Sequence, residues 1–297
     1  MGFGFTQRRG IEGQVRAIAG ERIDRALEDA AGGEADFNKL VHGLRRQCKK
    51  LRGLLRVIEP HFKHAKRENG AFRDAAGGLS GTRDAAVMVT TLTGLLDFDR
   101  RRAGGPRVGA ALGEALTAEF DAATGAPPDE HAAAKILRHF IETFEVARPR
   151  VDDWQLSGRG FDQIGDGLED TYRRMRNGLA DAETEQTAEA MHEWRKDAKY
   201  HWHHVALLQR AAPDVLKPRK ASLDRLGEML GDHHNLAVLD GRLDGRRDAD
   251  AIRTVIAERQ AMLASDAFAL GRQLAAEKPA VLRDRFEQYW SLLPERN

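Results

Sequence analysis

Val41-His42-Gly43-Leu44-Arg45-Arg46 has a counterpart 150 residues further on, Met191-His192-Glu193-Trp194-Arg195-Lys196, and Lys49 with Lys199 extends the match. A second block keeps almost the same register. Leu79, Arg83-Asp84 and Val87 align with Leu230, His234-Asn235 and Val238 at an offset of 151. Two blocks in one order and nearly one register mark an internal repeat. Carried outward, the offset pairs the segment 11–31 with 161–182 and 131–147 with 281–297. The halves are then 1–150 and 151–297, with the joint near Arg148-Pro149-Arg150.

Apolar residues recur mostly at spacings of three and four, alternating runs are scarce, and aromatics make up 6% of the chain, a pattern of helices rather than strands. The expected fold class is all-α. Helices are predicted over 11–31, 37–59, 82–98, 107–123, 129–147, 161–182, 185–210, 215–242, 247–276 and 279–291, punctuated by Gly32-Gly33, Gly77-Gly78, Gly104-Gly105-Pro106 and Pro127-Pro128. A repeat of about five helices is too long for a solenoid unit and suits a four-helix bundle with one extra connection. The chain, 1–297, therefore reads as two related helical bundles of four to five helices each, 1–150 and 151–297. Were they packed side by side about an approximate pseudo-two-fold axis, equivalent charged faces would turn towards a shared groove or pore.

No acidic residue occurs between Asp36 and Glu59, whereas Lys39, His42, Arg45, Arg46, Lys49, Lys50, Arg52 and Arg56 all do. At about 100° per residue, His42, Arg45, Arg46, Lys49, Arg52 and Arg56 spread over one face, with Leu44, Leu51, Leu55 and Ile58 roughly opposite. In the second half His192, Arg195, Lys196, Lys199 and His203 cover the equivalent face. There Glu193 and Asp197 fall about 100° and 140° around from His192, on the flank, so the strip is expected to stay unneutralised. Cations crowded without carboxylates repel one another, a cost that a bound anion relieves. Arginine is suited to phosphate because its planar fork bonds two oxygens at once. Arg22, Arg25, Arg173 and Arg176, on the preceding segments, either face the same groove or pair with Glu21, Asp24, Glu28, Glu169 and Asp170 on their own helices.

The totals conceal this segregation. The 297 residues are 31% charged and 41% hydrophobic, a globular rather than disordered composition, and 47 Lys plus Arg against 46 Asp plus Glu leave a formal net charge of +1. Anion binding is then expected at the strips and little elsewhere. No run approaches the roughly 18 apolar residues of a membrane span and no signal-peptide hydrophobic region opens the chain, so a cytoplasmic protein with no membrane partner is expected. The single Cys48 excludes an intrachain disulfide and lies towards the apolar side of its helix, where packing is its expected role.

The two blocks resemble the CHAD domain, a family named for its histidines and helical character. His42-Gly43-Leu44-Arg45-Arg46-Gln47-Cys48-Lys49-Lys50-Leu51-Arg52 and His192-Glu193-Trp194-Arg195-Lys196-Asp197-Ala198-Lys199 are similar to its histidine helices. Leu79 to Val87 and Leu230 to Leu236 are similar to its paired following segments, and Tyr172-Arg173-Arg174-Met175-Arg176 to its basic stretch before the second histidine helix. The resemblance implies two helical bundles around a basic surface that binds inorganic polyphosphate, often at polyphosphate granules. It implies a binding set of His42, Arg45, Arg46, Lys49, Arg52, His192, Arg195, Lys196 and Lys199, to which the wheel adds Arg56 and His203. The sequence departs from the family where Trp202-His203 replaces the usual basic and aromatic pair, and where Asn235 stands opposite Asp84.

Other functions leave less trace. There is no Gly-rich loop ending in Gly-Lys-Ser or Gly-Lys-Thr, no Gly-x-Ser-x-Gly and no His-Glu-x-x-His, and the alternating glutamates of a triphosphate tunnel domain are missing. Binding without catalysis and without a cofactor is the expectation. Eleven histidines raise metal chelation, yet of the clustered His201, His203, His204, His233 and His234 only His201 and His204 have the i, i+3 spacing that lets two share an ion. A phosphate-reading surface does not by charge alone separate polyphosphate from RNA or DNA, so nucleic acid stays open as a weak ligand. Few aromatics, Tyr200 and Trp202 nearest, accompany the strips to stack bases.

Overall fold

In the computed structural model, which describes residues 2–32, 36–79, 84–124 and 129–295, the ordered elements are α-helices and two short 3₁₀ turns. The helices are α1 (Ile11–Ala31), α2 (Phe37–Ile58), α3 (Ala65–Gly78), α4 (Asp84–Arg100), α5 (Ala110–Thr124), α6 (Glu130–Asp152), α7 (Asp162–Glu185), α8 (Ala188–Leu208), α9 (Pro213–Arg242), α10 (Asp250–Leu274) and α11 (Pro279–Trp290). The all-α expectation holds. Both histidine helices start on side-chain caps that satisfy otherwise orphaned N–H groups. Asp36 accepts from Asn38 N and Lys39 N, and Thr187, 151 residues on, from Ala190 N.

Packing follows a similar but not identical order in the two halves. α1 packs on α2, α2 on α3, α3 on α6 and α6 back on α1; in the second half α7 packs on α8, α8 on α9, α9 on α10, and α11 on α7. α9 spans in one helix what α3 and α4 cover in two. The cores divide differently from the halves. One buried cluster runs through α1, α2, α3, α6, α7, α8, α9 as far as Leu230, the end of α10 from Ala267, and α11, and includes Leu44, Leu51, Leu55, Ile58 and Cys48 as the helical wheel requires. A second joins α4 and α5, through Leu92 and Phe120, to the far ends of α9 and α10, through Leu239 and Ile252.

Two features depart from the periodicity. α3 lies where no helix is predicted, because its buried face is only Ala65, Glu68, Phe72 and Ala75, two small residues and a carboxylate around one phenylalanine. Glu68 is fully buried and takes a two-pronged bond from Arg150, at 3.0 and 2.8 Å, with Arg67 at 2.7 Å. These charge-assisted bonds offset its desolvation and hold its carboxyl below the usual range. The expected joint at Arg148-Pro149-Arg150 lies inside α6, which continues through Pro149. Its neighbours fix that turn: Arg148 bonds Asp24 of α1 at 2.7 Å while Arg150 holds Glu68 of α3.

The two halves meet where α2 touches both α7 and α8, and again where α4 packs on α9 and α10. Gly167 of α7 lies against the Val57 carbonyl, and a Cβ there would collide with backbone. Gly53 of α2 faces His203 of α8, whose Cβ and Cγ would lie 2.6 and 2.7 Å from an added Cβ. These residues are themselves 150 apart, so the repeat places a glycine opposite its own counterpart, and one position yields the space the other fills.

Gly167→Ala is expected to lower stability in urea by about 1–3 kcal/mol or more, since backbone cannot yield as a side chain does. Gly94→Ala, in open space within α4, is expected to raise it by up to about 1 kcal/mol through helix propensity. Equal effects of the two would refute the close approach.

Candidate functional site

The crossing of α2 and α8 carries the cationic faces with it. Lys199, Lys49 and Lys50 all lie close enough to buried His203 to act on its charge, which places three ammonium groups from two helices around one point. Arg52 and Arg56 reach across to α8. Arg52 Nη2 donates to the Tyr200 hydroxyl at 2.8 Å and its Nε to Asn69 of α3 at 3.1 Å, while the Arg56 guanidinium lies 4.9 Å from the Tyr200 ring centroid. On the other flank Arg22, Arg46 and Arg25 lie around Lys50, whose pKa is lowered by burial first and by these guanidinium groups second. Arg22 is buried and bonded to Glu21 at 2.5 Å.

Arg25, Arg46, Lys50, Arg52 and Arg176 make no ion pair among the described residues. Arg45 Nη1 donates to the Ala76 carbonyl of α3 at 3.2 Å, and Arg195 Nε to the Gly227 carbonyl of α9 at 3.5 Å. The donors stand 150 residues apart and the acceptors 151, so this one contact recurs at the offsets of the sequence repeat. His42 is exposed on α2, and its equivalent His192 is half-buried with its ring 4.2 Å from that of His234. Burial, then Arg195 and Lys196, lower the His192 pKa. The first-half equivalent of His234, Arg83, lies outside the described residues, and Asp84 opens α4.

Several predicted residues are placed differently. His203 is 8% exposed, packed at the crossing, and held neutral with its pKa lowered to about 3 by burial first and the three lysines second. It shapes the surface rather than lining it. Glu193 does neutralise the second strip in part, bonding Lys196 at 2.6 Å, and Asp224 of α9 holds Lys199 at 3.1 Å. Lys196 and Glu193 are both about half exposed, so this pair is weak and exchangeable for a ligand oxygen. Arg173 is bound by Glu169 and Asp170 on its own helix, at 2.6 and 2.5 Å, the alternative the sequence offered. At the crossing itself Gly53 packs directly against His203.

Three side chains outside the predicted set belong to the surface. Lys50 sat at the edge of the wheel; Tyr200 was visible only as a nearby aromatic; Lys220 had no signal, since its side of α9 is set by packing on α8. Lys220 lies 5.4 Å and Lys199 5.7 Å from the Trp202 ring. The clustered histidines are packed individually. His201 is fully buried beside Tyr172 with Arg219 Nη2 3.3 Å from its Nε2, and no group of three or more His, Cys, Asp or Glu among the described residues could hold a metal. Burial raises the Cys48 thiol to about 12, so it stays protonated and inert. No helix among the described residues is long and apolar enough to cross a membrane.

A family model for the CHAD domain matches residues 17–244. The chain belongs to this family. The CHAD match covers both histidine helices and both following segments. Among solved structures, PptA from Streptomyces chartreusis is similar in fold, with a TM-score of 0.53 at 14% identity over 97% of this chain and 100% of that one. No curated protein sequence matches.

His203 and His204 are both buried with pKa values lowered to about 3, against about 6.5 unfolded. The unfolded chain therefore takes up protons below pH 6.5 that the folded chain refuses. Their contribution to stability is complete above pH 6.5 and is lost as pH falls towards 3, by about 1.4 kcal/mol per unit for each. Their ring NMR signals are expected to stay constant from pH 8 to 5 while the urea midpoint falls; titration near 6.5 would contradict the packing.

Proposed function

We propose that this CHAD protein binds inorganic polyphosphate non-catalytically along the cationic faces of α2 and α8. The observation that carries the reading is how the cations are held. Arg52 rests on the Tyr200 hydroxyl and the Asn69 amide oxygen and makes no ion pair among the described residues, whereas structural arginines such as Arg148 and Arg150 are locked to carboxylates. A carbonyl or hydroxyl orients a guanidinium without cancelling its charge, and leaves N–H groups for a ligand oxygen. Membership of the CHAD family supports the same ligand. His42, Arg45, Arg46, Lys49, Arg52, Arg56, His192, Arg195, Lys196 and Lys199 are the contacts, with Arg22, Arg25 and Arg176 raising the local potential.

Tyr200 and Trp202 favour a bare phosphate chain over nucleic acid. Both rings already carry cations, Arg52 and Arg56 on the one and Lys199 and Lys220 on the other, so neither is a vacant platform for a base. Each contact is modest, and successive phosphates engage successive cations. Affinity then grows with chain length. Residence at polyphosphate granules in the cytoplasm follows from the ligand, and no hydrolysis accompanies binding.

Titration with polyphosphates of increasing length, against duplex DNA and RNA at equal phosphate concentration and fixed salt, tests this. Affinity should rise with length, fall steeply with salt, and drop by roughly tenfold or more in Arg45→Ala/Lys49→Ala. Equal or tighter binding of nucleic acid, or release of phosphate above a buffer control, would contradict the proposal.

A further inference from the structure

One contact between an inner helix, α2 or α8, and the outer helix packed on it, α3 or α9, forms a rung that recurs at offsets of 150 on the inner helix and 151 on the outer. Arg45 on Ala76 recurs as Arg195 on Gly227. The next rung in the first half is Arg52 of α2 on Asn69 of α3, with Nε to Oδ1 at 3.1 Å. At the same offsets the second half has Trp202 of α8 and Lys220 of α9, with the ammonium 5.4 Å from the indole centroid. The residues have exchanged roles: the cation has moved from the inner helix to the outer one, and the rung keeps a single positive charge.

Resting on the polyphosphate reading, we propose that Lys220 is a further ligand contact, which carries the binding surface from α8 onto α9 and supplies the charge that position 202 lacks. Its surroundings fit that role. Lys220 is half-buried and makes no ion pair among the described residues, whereas Lys199 on the same ring is bonded to Asp224 at 3.1 Å. An aromatic face holds an ammonium by its quadrupole and uses none of its three N–H donors, so all remain for phosphoryl oxygens. With Lys199 over the same indole, neighbouring phosphates on one chain can bond both. Trp202 is a positioning residue in this account.

The test compares Lys220→Ala, Lys220→Asn and the swapped rung Trp202→Arg/Lys220→Asn with wild type and Arg52→Ala, using long-chain polyphosphate. Each single Lys220 variant should bind about three- to tenfold more weakly, with the slope of log affinity against log salt smaller by roughly 0.7–1. The swapped rung recreates Arg52 and Asn69 in the second half and should regain affinity to within about twofold of wild type. Wild-type affinity and slope in Lys220→Ala, alongside a loss in Arg52→Ala, would overturn the proposal and leave the polyphosphate reading standing. No binding by wild type would overturn both. If circular dichroism shows the swapped variant unfolded, the salt slope of Lys220→Ala decides alone.

Discussion

The contact between Gly53 and His203 is the constraint on which the arrangement depends. It brings two cationic helices together at a point where each already carries ammonium groups, so whatever fills the crossing must be uncharged. An imidazole can meet that demand. Burial and the encircling lysines keep His203 neutral at physiological pH, while a lysine or arginine there would add another buried positive charge. The glycine opposite it is equally required, because two repeat-related side chains cannot occupy the same space. The sequence repeat is thus asymmetric at this contact.

From that point outwards some cations are paired, Lys196 with Glu193, Lys199 with Asp224, Arg22 with Glu21 and Arg56 with Glu59, and others are held by uncharged groups. Carbonyls of α3 and α9, the Tyr200 hydroxyl, the Asn69 amide and two aromatic faces hold guanidinium and ammonium groups in place. Lys50, with its pKa lowered by burial and by Arg22, Arg46 and Arg25, registers the resulting repulsion. A polyanion relieves that strain, so the same repulsion that costs stability in the free protein favours the bound one. The net charge of +1 is compatible with this because the compensating carboxylates, such as Asp24, Glu68, Glu169 and Asp170, are engaged with arginines elsewhere.

Much of the surface was legible because it depends on one helix at a time. The wheel of residues 37–58 separates Leu44, Leu51, Leu55 and Ile58 from the basic residues, and burial follows it. Relations between helices were hidden. His203 reads as a member of the strip until α2 packs on it; Glu193 reads as flanking until its long side chain turns towards Lys196. α3 is faint because a carboxylate occupies its core face, and Pro149 reads as a break because the clamps on its neighbours come from α1 and α3. Lys220 belongs to a rung that appears only when both offsets are applied to contacts rather than to residues.

If α2 and α8 act as one surface across their crossing, a crystal structure with bound polyphosphate will show one continuous phosphate chain within hydrogen-bonding distance of cations from both helices, with Lys49 and Lys199 among them. A chain confined to one helix, or lying on α4 and α5 away from the crossing, would contradict it.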